Sequence, residues 1–255
     1  MFLQQMKWPE VDALDREKVI AVASISALEQ HSLHLPVSTD YLIGSEIVRR
    51  VEHELPRTLL CLPPIWLGCS SHHMDFAGTI SLSVETMSHV LREITDSVMR
   101  HGFRKLLILN SHGGNRATLS YTIQAIGHSY AGAMIVGATY WDLVTQDLWQ
   151  ARETEFGGMG HACELETSIL LSIAPHLVDL SKAGPDGMTL SESEFGRNEM
   201  LASASVSVYK TFAETSRHGG HGDPRSASAE KGERFLGIIT YGVKRLCDDM
   251  LAGKI

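Results

Sequence analysis

Apolar runs and helical stripes alternate along the chain. Lys18 to Ile25, KVIAVASI, is a short apolar run between charge and a polar cluster, which predicts a buried strand. Leu59 to Leu67 reads as a second strand that Pro63 and Pro64 must break or end. Lys105 to Leu109, KLLIL, and Met134 to Tyr140 read as two more. Between them the spacing turns helical. Leu42, Ile43, Ile47, Val48 and Val51 form a stripe within Tyr41 to Glu54. Met87, Val90, Leu91, Ile94 and Val98 form another within Val84 to His101, with Gly102 at the C-terminal cap. Arg116 to His128 is a third helix, with Asn115 placed to cap it. Ala162 to Ile173 and the long Ala229 to Leu251 complete the set, while Gly184 to Asn198 reads as a polar, Gly-rich loop.

Uniformly apolar strands alternating with helices predict an α/β fold: a three-layer sandwich with a mostly parallel, Rossmann-like sheet flanked by helices. No repeat, linker or low-complexity tract divides the chain, so one domain over residues 1–255 is expected. In such sheets ligands bind beyond the carboxyl ends of the strands. The polar stretches EQH (Glu29 to His31) and NSHGGN (Asn110 to Asn115) both follow predicted strands directly. Topology alone therefore brings them to one edge of the sheet.

Composition narrows the function classes. Of 255 residues, 44% are hydrophobic and 20% charged, which is ordinary for a globular chain. The net charge of −8, with no basic run, speaks against a nucleic-acid partner. The scattered Cys61, Cys69, Cys163 and Cys247 lack zinc-knuckle spacing and read as free buried thiols. No signal-peptide pattern or bilayer-length apolar stretch is present, so a cytoplasmic location without a membrane partner is expected. The unusual feature is 13 histidines.

Several of these sit among carboxylates. In an extended segment, Glu29 and His31 point the same way. Asp40, before a helix start, is either a third ligand or a first-turn acid. His34 reads as a surface histidine, with an outer-shell or substrate role as the alternative. His112 stands at a strand end before two glycines, suited to a metal unless the turn is only a connection. The NSHGGN glycine spacing fits neither a P-loop nor a dinucleotide loop. In HACELETS, Glu166 falls within the stripe of Leu165, Ile169, Leu170 and Ile173, and a buried carboxylate must be paired or bind a metal. The alternative is a stripe-edge glutamate reaching solvent. Glu164 faces elsewhere, toward His161. Glu29, His31, Asp40, His112 and Glu166 together suit zinc, manganese or iron, and three carboxylates suit two divalent ions better than one.

The chain resembles the creatininase family of metal-dependent amidohydrolases. The matching pieces are LEQHSLHLPVSTD at Leu28 to Asp40, DFAGTISL at Asp75 to Leu82, NSHGGN, HACELETS at His161 to Ser168, and GDPRSASAEKGE at Gly222 to Glu233. The resemblance implies an α/β sandwich commonly assembled into hexamers. It implies Glu29, Asp40 and His112 on one metal and His31 on the other, with Asp40 bridging. It implies a metal-activated water that attacks the carbonyl of a small cyclic amide or formamide. His161 or Glu164 then protonates the leaving group, and His73 and Asp223 either line the substrate pocket or serve a purely structural role. Two departures stand out. Gly114 occupies the place of a creatininase carboxylate, which makes Glu166 the candidate fifth ligand, and Gly160 stands where creatininase has a glutamate. Both point away from creatinine as substrate. Hydrolysis of a cyclic ketone and a non-catalytic metal-binding scaffold are the competing readings.

Overall fold

The computed structural model describes residues 1–188, 195, 199–202 and 206–255. Of the expected loop from Gly184 to Asn198, residues 189–194 and 196–198 lie outside the described residues.

Four parallel strands form the sheet: β1 (Ile20–Ile25), β2 (Leu59–Cys61), β3 (Lys105–Asn110) and β4 (Met134–Thr139), in the order β2-β1-β3-β4. β1 is buried along its whole length, as its unbroken apolar run requires. It pairs with β3 from Ile20–Lys105 to Ile25–Asn110, so both strands end at the same level. β2 is shorter than expected. The ladder stops at Cys61 before Pro63 and Pro64, although the Leu62 and Ile65 amides still donate to the Val22 and Ser24 carbonyls.

The helices are α1 (Trp8–Asp12), α2 (Thr39–Glu54), α3 (Val84–Arg100), α4 (Arg116–Gly127), α5 (Thr145–Ala151), α6 (Glu164–Ile173), α7 (Phe212–Thr215) and α8 (Ala229–Leu251). Alternation along β1 divides the core. Ile20 and Val22 face one layer with Ile43 and Ile47 of α2, Leu165 and Ile169 of α6, and Phe235 and Ile239 of α8. Ala21, Ala23 and Ile25 face the other with Met87 and Leu91 of α3 and Leu119 of α4. Full burial of each such Ile, Leu or Phe stabilises the fold by about 1.5–3 kcal/mol. All four cysteines are free and buried, and burial pushes the Cys61 and Cys247 thiols up to about 12. Among the described residues no helix is long and apolar enough to cross a membrane.

Asn115 does not cap α4 through its side chain. Its Nδ2 donates to the Ser26 carbonyl at 3.0 Å and to Asn110 Oδ1 at 3.2 Å, while its Oδ1 accepts the Cys69 N–H at 2.8 Å. It ties three loops together at the carboxyl edge of the sheet, where the polar motifs meet.

Candidate metal centre

The loop after β1 carries Glu29 and His31, and the first turn of α2 carries Asp40. The loop after β3 carries His112, and the first turn of α6 carries Glu166. All five are buried and converge. The two Asp40 oxygens are divided between two imidazoles: Oδ1 lies 3.4 Å from His31 Nε2 and Oδ2 lies 3.2 Å from His112 Nδ1. Glu166 Oε1 stands 3.9 Å from His31 Nε2 on one side. Glu29 Oε1 stands 3.2 Å from His112 Nδ1 on the other. Asp40 is thus both a first-turn acid and part of the cluster; the two roles are compatible.

The outer nitrogens fix the protonation pattern. His31 Nδ1 lies 3.1 Å from the Glu29 carbonyl, His112 Nε2 lies 3.1 Å from that of Cys69, and His161 Nε2 lies 2.7 Å from that of Gln30. A carbonyl only accepts, so each ring holds a proton there and leaves its other nitrogen, facing the carboxylates, as the one a metal would take. Lone pairs facing carboxylates in a buried site repel unless a proton or a metal cation lies between them. Glu29 Oε2, His31 Nε2 and Asp40 Oδ2 accordingly make no hydrogen bond among the described residues. Donor atoms of His31, Asp40 and Glu166 lie within 4.8 Å of one another, as do those of Glu29, His72 and His112. Imidazole nitrogens and carboxylate oxygens in such groups fit zinc, manganese or iron.

Without a cation among them, the carboxylates favour a second proton on His31 and His112, which a metal would displace. Burial alone would lower the His31 pKa, but Asp40, Glu166 and Glu29 outweigh it and raise it to about 9. Burial likewise opposes the rise at His112, yet Glu29 and Asp40 lift it well above the usual range. His161 goes the other way: burial, then His31 and His73, depress it, so the ring is neutral. Its bare Nδ1 lies 3.6 Å from Glu29 Oε1. A neutral His161 therefore starts with Nδ1 free to take a proton at the site, and it must take one before it can donate to a leaving group.

His73 is different. Gln30 Oε1 accepts the Ser32 N–H and Gln30 Nε2 donates to the Gly219 carbonyl, which fixes the amide. Its second N–H reaches His73 Nδ1 at 2.7 Å. The His73 proton then resides on Nε2, 3.3 Å from Glu29 Oε1, and His73 supports that carboxylate.

A cavity of about 550 Å³ opens over the cluster. His72, His73, Arg116, Trp141, Phe212 and His221 help line it, and Phe212 stacks on His73 at 4.0 Å between ring centroids. Glu164 and Asp223 do not line it. The Glu164 carboxylate accepts the Glu153 and Thr154 N–H groups and pairs with Lys231 at 3.0 Å. Asp223 is held by Arg225 at 2.7 Å. His34, read as a surface histidine, is buried and bonds Thr167 Oγ1 at 2.9 Å. Sequence reasoning missed Gln30, His72 and Phe212. Gln30 stands inside the EQH motif and His72 beside His73, whereas no pattern marks Phe212.

Both departures from creatininase have local causes. A Cβ at Gly160 would lie 2.1 Å from the His221 carbonyl, which accepts the His161 N–H across an isolated β-bridge. A Cβ at Gly114 would lie 2.2 Å from the Cys69 carbonyl and 2.4 Å from His112 Nε2. Neither position admits a side chain in this backbone.

Comparisons with known proteins agree with this fold. A model of the creatininase family, described as creatinine amidohydrolase, matches residues 4–247. The chain is 26% identical to the creatinine amidohydrolase of Pseudomonas putida, over 95% of this chain and 94% of that protein. It is 30% identical to the mycofactocin precursor peptide peptidase of Mycobacterium ulcerans (strain Agy99), over 87% of this chain and 82% of that one. Solved creatininase structures, a Zn-Zn mutant and a Mn form, share the fold with TM-scores of 0.81 and 0.80 at 23% identity, over 98% of each chain. With the family model spanning nearly its whole length, the chain belongs to the creatininase family of hydrolases.

Proposed function

We propose that the protein is a two-metal amidohydrolase that cleaves a C–N bond in a small cyclic amide or formamide. The observation that carries this reading is the division of the two Asp40 oxygens between His31 and His112, with inward-facing nitrogens and unpartnered oxygens around them. Glu29, Asp40 and His112 would hold one divalent ion, and His31, Asp40 and Glu166 the other. Zinc, manganese or iron held there supplies Lewis acidity, which acidifies water and polarises a carbonyl. Neutral His161 takes the proton of the attacking water at Nδ1 and returns it to the leaving nitrogen. The aromatic walls at Phe212 and Trp141 exclude bulk water. Glu164, anchored by Lys231, and Asp223, anchored by Arg225, serve the scaffold in this reading.

The cavity of about 550 Å³ has room for a small cyclic amide or a formamide. The test is a screen of lactams, formamides, peptide amides and cyclic ketones on metal-loaded protein with product detection. Amide turnover that a chelator abolishes is expected. Turnover of a cyclic ketone alone would overturn C–N specificity. Fewer than one metal per chain, with no loss on Glu29→Ala, would sink the two-metal site, whereas bound metal without turnover of any of these compounds would favour a metal-binding scaffold.

We also propose a homo-oligomer. β4 is an edge of the sheet, and Met134, Ile135 and Val136 on it are only half-buried. An open apolar edge is a liability that a second copy can cover. Light scattering is expected to give a multiple of the 28.0 kDa chain, six copies by family resemblance.

A further inference from the structure

We infer that His72 is an additional ligand of the metal held by Glu29 and His112, and that it makes this site the more zinc-selective of the two. The assignment rests on the two-metal reading above.

His72 sits in the short turn Ser71–His73 and lines the cavity. Its ring lies nearly parallel to that of His112, at 13° and 5.9 Å between centroids. Donor atoms of Glu29, His72 and His112 all lie within 4.8 Å of one another. Ligands about 2.0–2.2 Å from one ion stand at most about 4.4 Å apart, so a shift of a few tenths of an ångström closes the group onto a shared ion. Among the described residues no hydrogen bond engages the His72 ring nitrogens, so neither is committed elsewhere.

Gly114 explains why the imidazole can stand there. A Cβ at that position would come within 2.8 Å of His72 Cε1, besides its clashes with Cys69 and His112. A side chain at 114 and an imidazole at 72 therefore compete for one volume. This chain keeps the imidazole.

The two sites then differ in chemistry. One has His72 and His112 with Glu29 and a shared Asp40. The other has a single imidazole, His31, with Glu166 and the same Asp40. More nitrogen suits zinc, and more carboxylate suits manganese.

The experiment titrates zinc, manganese and cobalt separately into metal-free wild type, His72→Ala and His72→Gln. Stoichiometry, affinity and the cobalt visible spectrum are read, and thermal melts confirm folding. Wild type is expected to take two zinc ions per chain. His72→Ala should keep one with unchanged affinity, bind the second at least tenfold more weakly, and change the cobalt spectrum of that site. Manganese affinity should fall less than zinc affinity. Two zinc ions at wild-type affinity in a folded His72→Ala protein, with an unchanged cobalt spectrum, would overturn the role of His72 while leaving the two-metal reading intact. Loss of both ions would also overturn it, since His72 would then support the whole cluster. Wild type that takes up no divalent metal would overturn the metal reading itself, and this assignment with it.

Discussion

Gln30 donates an N–H to His73 Nδ1 at 2.7 Å, and so decides which His73 nitrogen carries the proton. The consequence reaches Glu29, whose Oε1 meets the protonated Nε2 at 3.3 Å. Gln30→Glu removes the donor and puts a carboxylate against the Gly219 carbonyl, which Gln30 now meets at 2.7 Å with its amide. His73 would then protonate Nδ1 and leave Glu29 without its donor. Residues that orient ligands in this way typically matter 10–100-fold. Metal affinity and kcat should both fall by about that factor, measured by zinc titration and steady-state kinetics.

The carboxylates should separate by variant. Asp40→Asn is expected to lose both ions, because both donor groups use Asp40. Glu166→Gln should lower metal content more than Glu164→Gln. The latter should keep its metal but lose about 1–3 kcal/mol of stability, because it weakens a buried carboxylate bonded to Lys231 and two backbone amides. Metal analysis and denaturant melts on the same preparations check both statements. The reverse metal order would show that α6 presents the other glutamate.

Metal uptake should be pH-dependent through His31. Its pKa is raised to about 9, so the proton must leave before the ring binds a metal. Affinity should climb by up to about tenfold per pH unit until about pH 9. The metal-free protein behaves oppositely. A histidine whose folded pKa exceeds its unfolded value of 6.5 contributes stability that is complete below 6.5 and lost as pH rises through about 9. Metal-free melts should therefore worsen between those limits by on the order of 3 kcal/mol, since one pKa unit is about 1.4 kcal/mol. Metal-loaded melts should not. Equal pH profiles for the two forms would contradict this.

Gly114→Ala should be poorly tolerated. The new Cβ meets the Cys69 carbonyl and the His112 ring at once. Overpacking of this kind costs about 1–3 kcal/mol, and here it also shifts a metal-facing imidazole. Thermal melts should show lower stability together with reduced metal content.

The sequence revealed β1, β3 and α8 nearly to the residue, because each is an uninterrupted apolar run or stripe. It revealed the convergence of Glu29, His31, Asp40, His112 and Glu166, because these follow strand ends or sit on a buried helix face. It did not reveal the anchoring of Glu164, because Lys231 comes from α8, distant in sequence. It did not reveal the burial of His34, since that ring rests against Thr167 on another helix. Nor did it show that Asn115 binds loops instead of capping a helix, because both uses require the same side-chain type. What periodicity records is the face a residue occupies; the partner it finds there depends on the rest of the fold.

The site joins the loop after β1, the loop after β3 and the start of α6, three places far apart along the chain. Ions held there would act as reversible cross-links that form only after the sheet and α6 have assembled. They would close long chain loops much as a disulfide does, yet could be removed without reductant. Metal loading should therefore slow unfolding, and the gap between metal-free and metal-loaded unfolding rates would measure how firmly the ions tie these segments together.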